Sequence, residues 1–167
     1  MNAAQEVADR LRAIAAKVES AAPKASVQAL SRAGETMAKL TLSTGAHAAG
    51  TPTPNPPGGP PGLISGDLRR SVARAPAVPS GPATWSQALG SVIIYAAVQE
   101  HGATIHAGSS GYLANKATGQ FFVVPGGAKD YVKIPARPWM KPAVERLISS
   151  GLGQKAAISA FEAVLDL

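Results

Sequence analysis

The sequence predicts an α+β fold, and three observations carry that prediction. An amphipathic helical period runs through the N-terminal quarter, a proline-rich stretch breaks it, and short apolar runs follow before a second helical period. The expected order is a long N-terminal helix, a proline-rich arm, a small, mostly antiparallel sheet, and a C-terminal helix packed on that sheet. At 167 residues the chain fits a single domain with one core. Its segments are 1–45 (helical), 50–62 (arm), 65–135 (sheet region) and 138–167 (helical).

Each element has its own warrant. Val7, Leu11, Ile14 and Val18 recur at helical spacing, with Glu6, Arg10, Arg12 and Lys17 on the other faces. Pro23 removes a helix donor and crowds the preceding turn. Val27, Leu30, Met37 and Leu40 then resume the period, so either one helix kinked at Pro23 or two consecutive helices fit. In Gly50–Gly62 six of thirteen residues are proline, which predicts an extended, polyproline-like arm. It serves either as a linker or as a reach over a neighbouring subunit.

Leu68–Val78 and Thr84–Tyr95 have strand character around the turn-rich Pro79–Pro82. The Val92-Ile93-Ile94 triplet predicts burial on both faces. Tyr95–His101 reads as a short helix stopped by Gly102. Thr104–Ala107, Gln120–Val124 and Tyr131–Ile134 read as further short strands, and Gly108–Gly119 as loop. Pro138 and Pro142 suit the start of a last helix, where those N–H groups lack partners anyway. Val144, Leu147 and Ile148 begin its apolar face, Gly151-Leu152-Gly153 bends it, and Ile158, Phe161, Val164 and Leu165 complete it.

Composition narrows the function. Aromatics are 5% of the chain, so the core is built mainly from aliphatic residues and alanine. The formal charge of +6 permits contact with nucleic acid or an acidic protein surface, but the basic residues form no block. There are no cysteines, which excludes disulfides and thiolate sites and suits a reducing cytosol. No apolar run reaches the roughly 20 residues needed to span a bilayer, so a soluble, non-secreted protein with no membrane partner is expected.

Catalytic patterns are sparse. His47, His101 and His106 have no metal-ligand spacing, and Glu100 and His101 diverge on either a helix or a strand. No Gly-x-Ser-x-Gly elbow, Walker loop or dinucleotide fingerprint is present. Nothing brings Glu100 and Asp130 together as an acid–base pair. The expectation is therefore no enzyme, no cofactor and no metal.

Three segments stand out instead: Ser65–Val72 (SGDLRRSV), Tyr95–Gly102 (YAAVQEHG) and Ile134–Ala143 (IPARPWMKPA). Ser65-Gly66-Asp67 is turn chemistry that places Leu68 inward and Arg69 or Arg70 outward. Tyr95 offers a ring with a polar tip. Arg137 sits on a stiff backbone between prolines, followed by the large apolar Trp139. That pair fits an interface anchor, or else a core plug with an arginine capping a nearby carboxylate.

In this order the segments resemble the neck and tail-completion proteins of long-tailed bacteriophages. Gly66-Asp67-Leu68-Arg69-Arg70-Ser71 is similar to that family's Gly-x-Leu-Arg-x-Ser opening of the sheet. Tyr95-Ala96 through Glu100-His101-Gly102 matches its Tyr-Ala and Glu-aromatic/His-Gly pattern, and Pro135-Ala136-Arg137-Pro138-Trp139 its Pro-Ala-Arg-Pro-aromatic motif. The resemblance covers roughly residues 60–145, and the long Gly108–Lys129 segment departs from it.

The resemblance implies a structural virion protein assembled in the host cytoplasm. It would form a tail-completion or terminator-like ring joining the head connector to the tail tube. Its partners would be itself, in a ring of six copies or else twelve, and the neighbouring connector, stopper and tail-tube proteins. Basic residues would make transient contact with DNA in the channel. Leu68, Arg69, Arg70, Tyr95, Glu100, Arg137 and Trp139 are the expected interface residues. Alternatives are another connector-ring component (a head-closure, minor tail or capsid protein) and a nucleic-acid-binding module, with a small hydrolase using Glu100 and His101 behind them.

Overall fold

The computed structural model describes residues 3–45, 55–106, 113–115, 120–122 and 131–166. His47, Gly50–Pro54 and Asp130, singled out above, lie outside them, as do residues 107–112, 116–119 and 123–124 of the expected strands and loop. The architecture is α+β, helix-dominated, with small antiparallel sheets and a helical C-terminus.

The Pro23 alternatives resolve as one continuous helical rod with a fault in it. Helix α1 (Ala3–Ala16) runs through a π-helical turn, Lys17–Ala21, into α2 (Ala22–Thr41). The Ala22 N–H donates to the Lys17 carbonyl, five residues back. Widening the turn makes room for the Pro23 ring, which would otherwise press on the carbonyl four residues earlier.

After the proline arm come α3 (Asp67–Ser71), β1 (Val72–Arg74), β2 (Val78–Gly81), β3 (Thr84–Ser86), β4 (Leu89–Ser91) and α4 (Tyr95–His101). Then follow β5 (Ala103–His106), β6 (Leu113–Asn115), β7 (Gln120–Phe122), β8 (Tyr131–Ile134), α5 (Met140–Ser149) and α6 (Leu152–Leu165). The strands pair antiparallel as β1 with β4, β2 with β3, β5 with β8, and β6 with β7. Among the described residues these are separate two-stranded ladders, not one sheet.

Several local expectations change. The run from Leu68 opens as helix, because Gly66, at φ 76°, turns the chain and the Asp67–Arg70 pair closes a single turn. Pro79 lies in β2, and the turn tightens to Pro82 and Ala83, the latter at φ 48°. The segment expected as loop contains β6. Val92 and Ile94, expected to be buried, are 93% and 94% exposed, because β4 ends at Ser91 and the chain crosses to α4 in the open.

The C-terminal helices pack on α2 rather than on a strand face. α6 lies antiparallel to α2: Ser26 Oγ donates to the Ala157 carbonyl at 2.9 Å, and Lys17 Nζ reaches Asp166 at 2.8 Å. Gly153 permits the approach, since a Cβ there would stand 2.7 Å from Leu30. Gly151, at φ 66°, separates α5 from α6. The core gathers where the C-terminal half of α2 (Met37, Ala38) and its C-cap Leu42 meet Leu68, Val72, Ala96, Trp139, Ala143 and Leu147.

Candidate functional site

The three motifs, far apart in the chain, each contribute apolar side chains to that one core: Leu68 from the first, Ala96 from the second, Trp139 and Ala143 from the third. Polar contacts then stitch the last two together. Helix α5 has no capping side chain of its own, because Trp139 occupies its N-cap position. Its free N–H groups need an acceptor, and an anion suits the positive end of the helix dipole.

Glu100, at the end of α4, supplies it. One carboxylate oxygen accepts from the Trp139 and Met140 N–H groups at 2.7 and 2.8 Å, and the other from Lys141 N–H at 2.9 Å. Burial pushes the Glu100 carboxyl upward, but these three backbone donors and the nearby His101 outweigh it and hold it below the usual glutamate value.

The backbone closes the same joint. Arg137 N–H donates to the Gln99 carbonyl at 2.6 Å. Gly102 carries φ 72° and ψ 174°, a conformation essentially reserved for glycine. A Cβ there would lie 2.8 Å from the Ile134 carbonyl oxygen and 2.9 Å from the Ala136 nitrogen. Glycine stops α4, as expected, and also lets the third motif pass against it.

Arg137 is buried and finds a carbonyl rather than a carboxylate: its Nε donates to Asn55 O at 2.8 Å. Gly58 N–H donates to Ala136 O at 3.0 Å, and Asn55 Nδ2 to Pro60 O at 2.9 Å. The described part of the proline arm, from Asn55 onward, is thus pinned to its own subunit. The Trp139 ring, 3% exposed, donates its indole N–H to the Ala96 carbonyl at 3.3 Å. It plugs this subunit's own core.

Of the seven expected interface residues, Leu68, Arg137 and Trp139 are therefore turned inward, and Glu100 is engaged as a helix cap. Their side chains bear on a contact surface only by supporting it. Arg69, Arg70 and Tyr95 remain outside. Arg70 is held by the Ser65 carbonyl and Asp67, whereas Arg69 has no partner among the described residues. The Tyr95 hydroxyl is raised above its ordinary pKa, first by burial and then by the Asp67 charge. Arg69, Tyr95 and Gln99 border a recess of about 200 Å³ between the first two motifs.

Two further features complete the surface. Glu35 on α2 bridges Lys39 and the Arg74 guanidinium of β1, and those two hydrogen bonds, Lys39 first, lower its carboxyl pKa. On α1 the periodic residues Val7, Leu11 and Ile14 are each more than half exposed.

Among the described residues no cluster of three or more His, Asp or Glu side chains could hold a metal, and no helix is long and apolar enough to cross a membrane. Comparison with family models, curated proteins and solved structures finds no match to this chain.

The sequence reading missed the part Glu100 plays. Its signal was present in principle: a helix beginning at Pro138-Trp139-Met140 has no Ser, Thr, Asp or Asn to cap it, so an acceptor from elsewhere is required.

Proposed function

We propose that this protein is a structural component of a bacteriophage head-to-tail interface, a tail-completion or terminator-like ring that joins the head connector to the tail tube. One observation carries the reading. The three segments on which the resemblance rests meet in space as a single joint, sharing the core residues Leu68, Ala96, Trp139 and Ala143. Motifs that are scattered in sequence but joined in this way define a rigid body. Arg69, Arg70 and Tyr95 stand on the outer side of that body.

A ring part works by holding a fixed shape while neighbours bind its surface, and heterologous contacts between copies close the circle. The apolar residues left outside, Val92 and Ile94 beside Tyr95 and the stripe on α1, are chemistry suited to such contacts. Connector, stopper and tail-tube proteins are the neighbours this role requires.

Imaging the purified protein by electron microscopy, and deleting its gene from the phage that encodes it, test the role. The expected results are closed rings and a lysate in which full heads and tails accumulate unjoined. Normal infectious particles lacking the protein would overturn it.

A further inference from the structure

We infer that helix α1 is the element by which one copy grips the next, its apolar stripe lying in the groove between α2 and the C-terminal helices of a neighbouring copy. The inference rests on the self-assembling reading above and names the surfaces that would carry it.

Both halves of the contact are on the chain and both are uncovered. The stripe is Val7, Leu11 and Ile14 of α1, continued by Val18 of the π-helical turn, spaced four, three and four, the repeat by which one helix seats on others. The groove, about 510 Å³, has Ala29 and Ala33 on its α2 wall and Leu40 at its end, with Leu152 and Ala156 of α6 opposite. Val7 to Val18 and Ala29 to Leu40 each span eleven residue steps, about 16 Å at 1.5 Å per residue. Knobs of Leu and Ile meet a wall that runs from Ala29 and Ala33 past Thr36 and Met37 to Leu40. α1 cannot fill its own groove, because it continues α2 in line through the π-turn and runs away from the body.

Charge fixes the direction. Glu19, beside the Val18 end of the stripe, and Arg32, lining the Ala29 end of the groove, are both exposed and have no partner among the described residues. Bringing them together sets α1 antiparallel to the neighbour's α2, with Val7 toward Leu40.

Area fixes the kind of assembly. Half the side of a helix about 10 Å wide over the roughly 16 Å of the stripe is roughly 250 Å², or about 500 Å² counting both surfaces. A single contact of that size falls short of the roughly 1,200 Å² of a stable complex. In a reciprocal pair the same two copies share two such contacts, about 1,000 Å² together, whereas in a closed ring each copy is held by one contact on either side. The contact is therefore too small to hold an open pair, and holds copies together only where each is gripped twice, in a closed ring or a reciprocal pair.

The full-length protein tests this by sedimentation and by cross-linking, in a background free of native cysteines. Leu11→Glu with Ile14→Glu should weaken assembly at least ~100-fold, since two buried aliphatic side chains are lost, with the helical circular dichroism retained. Glu19→Arg should weaken it and Arg32→Glu added to it should restore it. An Ile14→Cys copy mixed with a Thr36→Cys copy should cross-link across the contact. If the wild type assembles but the stripe variants assemble equally well, the α1 inference falls and the ring reading stands. If Ile14→Cys copies cross-link to one another instead of to Thr36→Cys, α1 pairs with α1 and the inference is wrong. A wild type that stays monomeric at every concentration overturns both.

Discussion

The joint around Trp139 and the rod of α1 use apolar residues in opposite ways. At the joint, weakly periodic segments rich in proline, glycine and arginine are buried and cross-stitched by backbone hydrogen bonds. On α1 a strictly periodic aliphatic stripe lies open to solvent. Periodicity reports that a face will be covered, not by what. The covering of the joint comes from the same chain, whereas the stripe on α1 stays exposed among the described residues.

Breaking the joint should therefore cost the subunit its fold, whereas altering α1 should not. The largest effect is expected from Trp139→Ala, which empties the centre of the core: about 3–5 kcal/mol in urea unfolding, enough to leave a marginal domain largely unfolded. Gly102→Ala comes next, at about 3 kcal/mol, because it combines a forbidden backbone conformation with overlap onto Ile134 and Ala136.

Glu100→Ala should lose about 2 kcal/mol by orphaning three N–H groups at the start of α5. Its pH dependence sharpens the point. A carboxyl held below its ordinary value of about 4.5 stabilises the fold above that pH and loses its contribution as the pH falls through the folded value. The gap in thermal stability between wild type and Glu100→Gln should be full at pH 7 and close progressively below about pH 4.5. A gap that stays constant with pH would show that the charge plays no part. At the small end, Val92→Ser and Ile94→Ser should shift the stability of the isolated subunit by less than about 0.5 kcal/mol.

Much of the secondary structure was legible. The helical periods around Leu11 and Met37, the short α4 ending at Gly102, the break at Gly151 and the strand Tyr131–Ile134 all follow from local pattern. What local pattern could not supply was partnership. Pro23 signalled a disturbance but not the π-turn that absorbs it. The Val92-Ile93-Ile94 triplet looks like a buried strand because apolar β-branched residues favour both burial and strands, yet β4 ends one residue before it. The Arg137–Trp139 pair had two readings that sequence alone leaves balanced, and the carbonyl of Asn55 and the core around Ala96 decide for the inward one. Glu100 acts on a helix 40 residues downstream, a relation that only the fold creates.

Hydrogen exchange on the wild-type protein, followed residue by residue over a range of concentrations, tests the contrast most directly. The account predicts slow exchange of the Trp139, Met140 and Lys141 amides at every concentration, with α1 amides exchanging fast when dilute and slowing as copies associate. Fast exchange at Trp139–Lys141, or α1 protection that ignores concentration, would contradict it.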